Sequence, residues 1–198
     1  MARGRRVNSS GEKSKKLLLE KAIELFSTHG YHQTKISDIV KAASLTQPTF
    51  YLYFQSKETL FNDLNEKFQS DLIEIFTNKE ETVSATKNAN ELIEQNLKCI
   101  FDYFIENPNL TKIGFYEAEQ SSGLKQLLVS KIENVINENL KECPVVKRVN
   151  SNVLAESLVG SMERLTLTNL LTNKSNPEKL AQEISTIYFS TEQPLVYQ

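Results

Sequence analysis

Apolar residues recur at three- and four-residue spacing along almost the whole chain, and no stretch sustains the alternation that a strand requires. The pattern predicts an all-α protein of about nine helices. The first ends near Thr28 and carries Leu18, Leu19, Ala22, Ile23 and Phe26 on one stripe, with Ser9 and Glu12 at capping-box spacing before it. Gly30 stands where a left-handed C-cap belongs. Ile36, Ile39, Val40 and Ala43 repeat the i, i+3, i+4, i+7 stripe over a short second helix, for which Thr34 is the natural N-cap. Ser44 and Leu45 then make a tight turn. Thr46 caps a third short helix whose first turn, Gln47-Pro48-Thr49, accepts proline because an N–H there has no helical partner to lose. Phe50 and Phe54, four apart, face inward.

Ser56 caps a long fourth helix, in which Leu60, Phe61, Leu64, Phe68, Leu72 and Phe76 keep helical spacing for about five turns. The polar run 78–88 is predicted as a loop. A fifth helix, about 89–107, ends at Asn107-Pro108, and a shorter sixth runs through Phe115 and Tyr116. The seventh, about 123–141, is broken by Cys143-Pro144. The eighth, about 151–171, interleaves apolar positions with the small residues Ala155, Ser157, Gly160 and Ser161, which permit close approach of another helix. Asn176-Pro177 reads as N-cap and first residue of the ninth, with Leu180, Ile184, Ile187 and Tyr188.

The outer face of the third helix is unusual. Gln47, Thr49, Tyr51, Leu52 and Tyr53 combine hydrogen-bonding groups with aromatic surface, and no Lys or Arg stands between Leu45 and Gln55. A solvated helix would carry Lys and Glu there. Amide, hydroxyl and methyl groups near a helix N-terminus suit base edges in a major groove, so the pair of short helices reads as a helix-turn-helix with the second as its recognition helix. A plain helical hairpin with its aromatics inside a bundle is the competing reading. The run from Leu17 to Leu64, above all LFSTHGYHQTKISDIVKAASLTQPTFYLYFQSKETLF, resembles the N-terminal domain of the tetracycline-repressor (TetR) family of bacterial transcriptional regulators. The elements that carry the resemblance are LFxxxGY from Leu25 to Tyr31, Thr34, Ile39, the YxYF at Tyr51 to Phe54, and Lys57. Ser44 departs from it, because many members carry glycine in that turn.

The resemblance implies an N-terminal three-helix helix-turn-helix DNA-binding domain, 14–56, after a flexible basic arm, 1–13. A helical effector-binding and dimerisation domain, 57–198, follows. Base readout would then fall to Gln47, which can pair with adenine, and to Thr49 and Tyr51, with Pro48 and Leu52 against thymine methyls and Thr46 at the cap. Thr34, Lys35, Tyr53 and Lys57 match the family's contacts to the phosphate backbone. Family members are usually homodimers held by their last two long helices, and a small-molecule effector bound in the C-terminal domain shifts the fourth helix. The expected partners are therefore a near-palindromic double-stranded DNA operator, a second copy of the chain and an unknown small-molecule effector. Phe101, Phe104, Phe115 and Tyr116 are candidate walls of a mainly apolar ligand site, although aromatics at this spacing also serve as plain core.

Charge sharpens this picture. The net charge of −2 conceals a gradient: residues 1–60 carry ten Lys or Arg against five acids, +5, which leaves −7 for the rest. The basic end is the end with the hairpin, and Arg3, Arg5 and Arg6 suit either a minor groove or simple solvation. Glu117, Glu119 and the acidic body favour a neutral or cationic effector. Candidate chemistry is sparse. The two histidines, His29 and His32, straddle Gly30 without a metal ligand in sequence reach, so no metal, cofactor or catalytic residue is expected and the chain is predicted not to be an enzyme. Cys99 and Cys143 are far apart and read as structural thiols of a reducing compartment. No run approaches the roughly 18 apolar residues of a membrane span, and a cytoplasmic location follows. The competing functions are a nucleoid-associated or division-linked DNA binder without an effector, and a helical sensor or enzyme that does not bind DNA.

Overall fold

The computed structural model describes residues 8–77, 89–117 and 121–189. Arg3, Arg5, Arg6, the predicted loop 78–88 and Glu119 lie outside the described residues, as do the side chains of Ser9, Phe76, Tyr116 and Glu117. Among the described residues all regular structure is helical: α1 Asn8–His29, α2 Ile36–Ala42, α3 Gln47–Tyr51, α4 Lys57–Thr77, α5 Ala89–Glu106, α6 Pro108–Lys112, α7 Ser121–Asn139, α8 Ser151–Leu165 and α9 Pro177–Phe189. The all-α prediction stands. α1 starts at Asn8, so residues 8–13 belong to a helix and the predicted arm is shortened accordingly.

The chain forms two compact units. One comprises the described residues of Met1–Gln69 and Asn109–Gln120, the other those of Ser70–Pro108 and Ser121–Gln198. The first therefore extends past the predicted boundary at Ser56, because the early turns of α4 supply its core. Leu18, Ala22 and Phe26 of α1 are buried with Ile39, Val40, Phe50, Phe54, Leu60, Phe61 and Leu64. Phe26 meets Phe61 edge-on at 5.5 Å between ring centres, and Tyr31 lies 4.5 Å from Phe61. Ser56 caps α4 reciprocally: its Oγ accepts from the Thr59 N–H at 3.1 Å, and its own N–H donates to Thr59 Oγ1 at 2.9 Å. In the same unit, α6 runs into a π-helical turn, Ile113–Glu117, that packs on α1. Gly114 in this turn lies directly against the Phe68 ring, which occupies the space a Cβ would need.

In the second unit α5 packs on α9 and α7 on α8. Asn150 caps α8 by accepting from the N–H groups of Asn152 and Val153, and Asn176 caps α9 through Lys179 N–H at 2.8 Å. α8 closes in a second π-helical turn, Thr166–Leu170. The predicted eighth helix runs straight through this segment, because a repeat near 3.6 is blind to one widened turn. Tyr103 donates its phenol proton to Asp71 at 2.9 Å, and the Tyr188 hydroxyl lies 2.9 Å from Ser157 Oγ and 2.6 Å from Ser161 Oγ. No helix of the described residues is long and apolar enough to cross a membrane.

Candidate nucleic-acid interface

The turn between α2 and α3 is set by Ser44, whose φ of 54° lies in the left-handed region and accounts for the glycine many family members carry there. Leu45 N–H reaches back to the Val40 carbonyl at 2.8 Å and closes the turn. Thr46 is extended at φ −112° and accepts from Thr49 N–H, as an N-cap should. Its hydroxyl also lies 2.9 Å from that of Thr49, so the two hydroxyls form one polar patch at the start of α3. With Phe50 and Phe54 buried, helical geometry turns Gln47, Pro48, Tyr51 and Leu52 outward. Leu52 is 77% exposed and Tyr51 55%, a degree of solvent contact that a packed hairpin would not leave. The bundle-hairpin alternative therefore falls.

The residues matched to phosphate contacts are placed unevenly. Lys35 is exposed and, not Thr34, is the N-cap residue of α2, its N–H donating to the Asp38 carboxylate at 3.1 Å. Thr34 is 2% exposed, and its hydroxyl donates to the carbonyl oxygens of Gly30 at 2.9 Å and Leu25 at 3.4 Å. It ties the turn that Gly30 opens at φ 85°. Tyr53 is half-buried, with its hydroxyl 3.3 Å from where a Cβ on Gly11 would stand. Lys57 turns inward onto the carbonyl oxygens of Tyr31 and Thr34. Neither the nearness of Gly11 to Tyr53 nor that inward turn was legible in the sequence, since each joins residues far apart in the chain.

The candidate effector walls are divided between the two units. Phe101, Phe104 and Phe115 are buried core residues. Phe115 packs on Phe68 in the first unit, and Phe101 and Phe104 belong to the second. A small cavity of about 20 Å³ in the second unit is lined instead by Ile93, Asn96, Leu97 and Ile100 of α5, Ile132 and Val135 of α7, and Leu158 of α8. Aliphatic residues at core spacing carry no mark in the sequence that separates a cavity wall from filler.

A capped recognition helix with an exposed, uncharged reading face, on a three-helix head, defines a helix-turn-helix DNA-binding protein. Residues 18–64 match the model of the bacterial regulatory proteins of the tetR family. An uncharacterized HTH-type transcriptional regulator of Bacillus subtilis (strain 168), YdgC, is 34% identical over 179 residues, spanning 90% of this chain and 92% of its own. The fatty acid metabolism regulator protein of the same organism is 22% identical and spans 76% of this chain and 80% of its own. In the fold, a TetR-family transcriptional regulator from Bordetella parapertussis matches with a TM-score of 0.75 at 17% identity, over 94% of this chain and all of that one. The chain belongs to the TetR family and is a DNA-binding transcriptional regulator.

Proposed function

We propose that the protein is a repressor that binds a near-palindromic operator as a homodimer, is released by a small-molecule effector, and acts in the cytoplasm by binding rather than catalysis. The observation that carries the reading is the outer face of α3, where Gln47, Tyr51 and Leu52 stand in solvent without a charge among them. Base edges would be read by Gln47, Thr49 and Tyr51, thymine methyls would be met by Pro48 and Leu52, and Lys35 would pair with phosphate. The dimer is supported by the outward stripe Val153, Ser157, Gly160 and Arg164 on α8 and by Ile187 on α9, which is 74% exposed. Selecting binding sites from random DNA is the test. A regulator enriches one sequence with inverted symmetry, whereas a nucleoid-type binder enriches none.

The effector is proposed to be apolar and neutral. Six aliphatic side chains and the Asn96 amide line the cavity between α5, α7 and α8, with no charged group among them. The cavity has room for about one water, so admitting a ligand requires these helices to part. Two similar proteins, the Bacillus subtilis regulator above and a fatty acid degradation regulator from Bacillus halodurans with a TM-score of 0.72, carry names that concern fatty acids. A panel of neutral apolar compounds beside an acyl thioester decides the class: neutral compounds should raise the melting temperature and release DNA. An acyl thioester doing both alone would overturn the choice.

A further inference from the structure

The start of α4 holds a cation in an unexpected setting. Lys57 Nζ donates to the Tyr31 carbonyl at 2.7 Å and to the Thr34 carbonyl at 2.9 Å, and stands 4.2 Å from the centre of the Tyr31 ring. An ammonium has three N–H donors, so two are committed to the protein's own backbone and a π-face covers part of the rest.

The two carbonyls belong to the turn between α1 and α2. That turn opens at left-handed Gly30 and is tied at its far end by Thr34, whose N–H and hydroxyl both return to the Gly30 carbonyl, at 3.3 and 2.9 Å. Lys57 donates to both part-buried carbonyls from 26 and 23 residues away, and so joins the start of α4 to this turn. The residue after Thr34 is Lys35, the N-cap of α2, whose carbonyl accepts the Asp38 and Ile39 N–H groups that begin the helix. α2 in turn packs on α3.

We propose that Lys57 is a positioning residue of the DNA-reading head: it latches the first turn of α4 to the α1–α2 turn and so sets the pose of α2 and α3 from which Gln47 reads. It governs discrimination between sequences rather than general affinity. This rests on the DNA-reading role of α3, which the wild-type control tests separately.

The test uses the full chain with Lys57→Met, which keeps the length of the side chain and removes its donors and charge. Affinity is measured against the best selected operator and a random duplex of equal length over a range of salt. The latch predicts about a tenfold loss on the operator, less than about a twofold change on random DNA, and an unchanged salt slope. In the free protein, hydrogen exchange at the Asp38 and Ile39 amides should quicken in the variant while amides of α5 and α9 stay as they were. Equal losses on both duplexes with the slope reduced by about one per subunit would make Lys57 a phosphate contact and overturn the proposal. Equal losses with an unchanged slope and a lower melting temperature would reduce it to a general stabiliser, which also overturns it. No change at all would do the same. If wild type itself prefers no sequence, the reading of α3 fails first, and that is seen before any variant is made.

Discussion

At the scale of single residues, the proposed interface would divide labour between uncharged groups that read and charged groups that hold. Gln47→Ala should cost about 1–3 kcal/mol per half-site on the best operator and relax preference at one base pair with an unchanged salt slope. Titrating a set of single-base operator variants checks this, and a uniform loss on all of them would place Gln47 off the bases. Lys35→Ala, at an exposed ammonium, should weaken every sequence about equally and reduce the slope by about one per subunit. Ser44 sits at φ 54°, so Ser44→Gly should leave the head as stable or stabilise it by up to about 1 kcal/mol, while Ser44→Val should destabilise it by more. Chemical denaturation measures both. The caps at Thr46, Ser56 and Asn176 were legible in the sequence because capping is decided within three residues. Thr34 was misread as a cap because its hydroxyl answers to Leu25 and Gly30 across a turn, a choice that only the folded turn makes.

At the scale of elements, two glycines behave oppositely. Gly114 lies against Phe68 in the π-helical turn, so Gly114→Ala overpacks the first unit and should cost about 1–3 kcal/mol. Gly160 faces open space on α8, so Gly160→Ala should gain helix propensity of about 0.5–1 kcal/mol in a folded monomer. A shared effect of both substitutions would mean that the π-helical turn does not hold Phe68 as described. Helix positions were readable from periodicity, but the two π-helical turns were not, since the apolar repeat continues through them. Within the second unit, burial first and then the hydrogen bond to Asp71 push the Tyr103 phenol well above its usual value. The fold therefore favours the neutral phenol. That contribution is intact below about pH 10, the unfolded value, and is lost as pH rises beyond it. Wild type should lose stability on the alkaline side more steeply than Tyr103→Phe, and parallel curves would contradict the assignment.

At the scale of the whole molecule, a basic N-terminal segment with an exposed reading helix and an acidic remainder suit two-headed binding to a symmetric site. The charge gradient and the helix-turn-helix were visible in the sequence. The small cavity of the second unit was not, because its lining is aliphatic residues that look like any core. Gly160→Arg on the outer stripe of α8 leaves the isolated fold room for the side chain, so it should separate the protomers and weaken operator binding through lost bivalency. Sedimentation at micromolar concentration reads the first effect, and a wild-type monomer there would end the dimer proposal. The most direct measurement of the central claim is the ratio of affinities for one selected operator and a random duplex of equal length, at one stated salt concentration near physiological. A sequence-reading regulator predicts a ratio of about a thousand or more, dropping sharply in Gln47→Ala. A ratio near one, unmoved by that substitution, would contradict it.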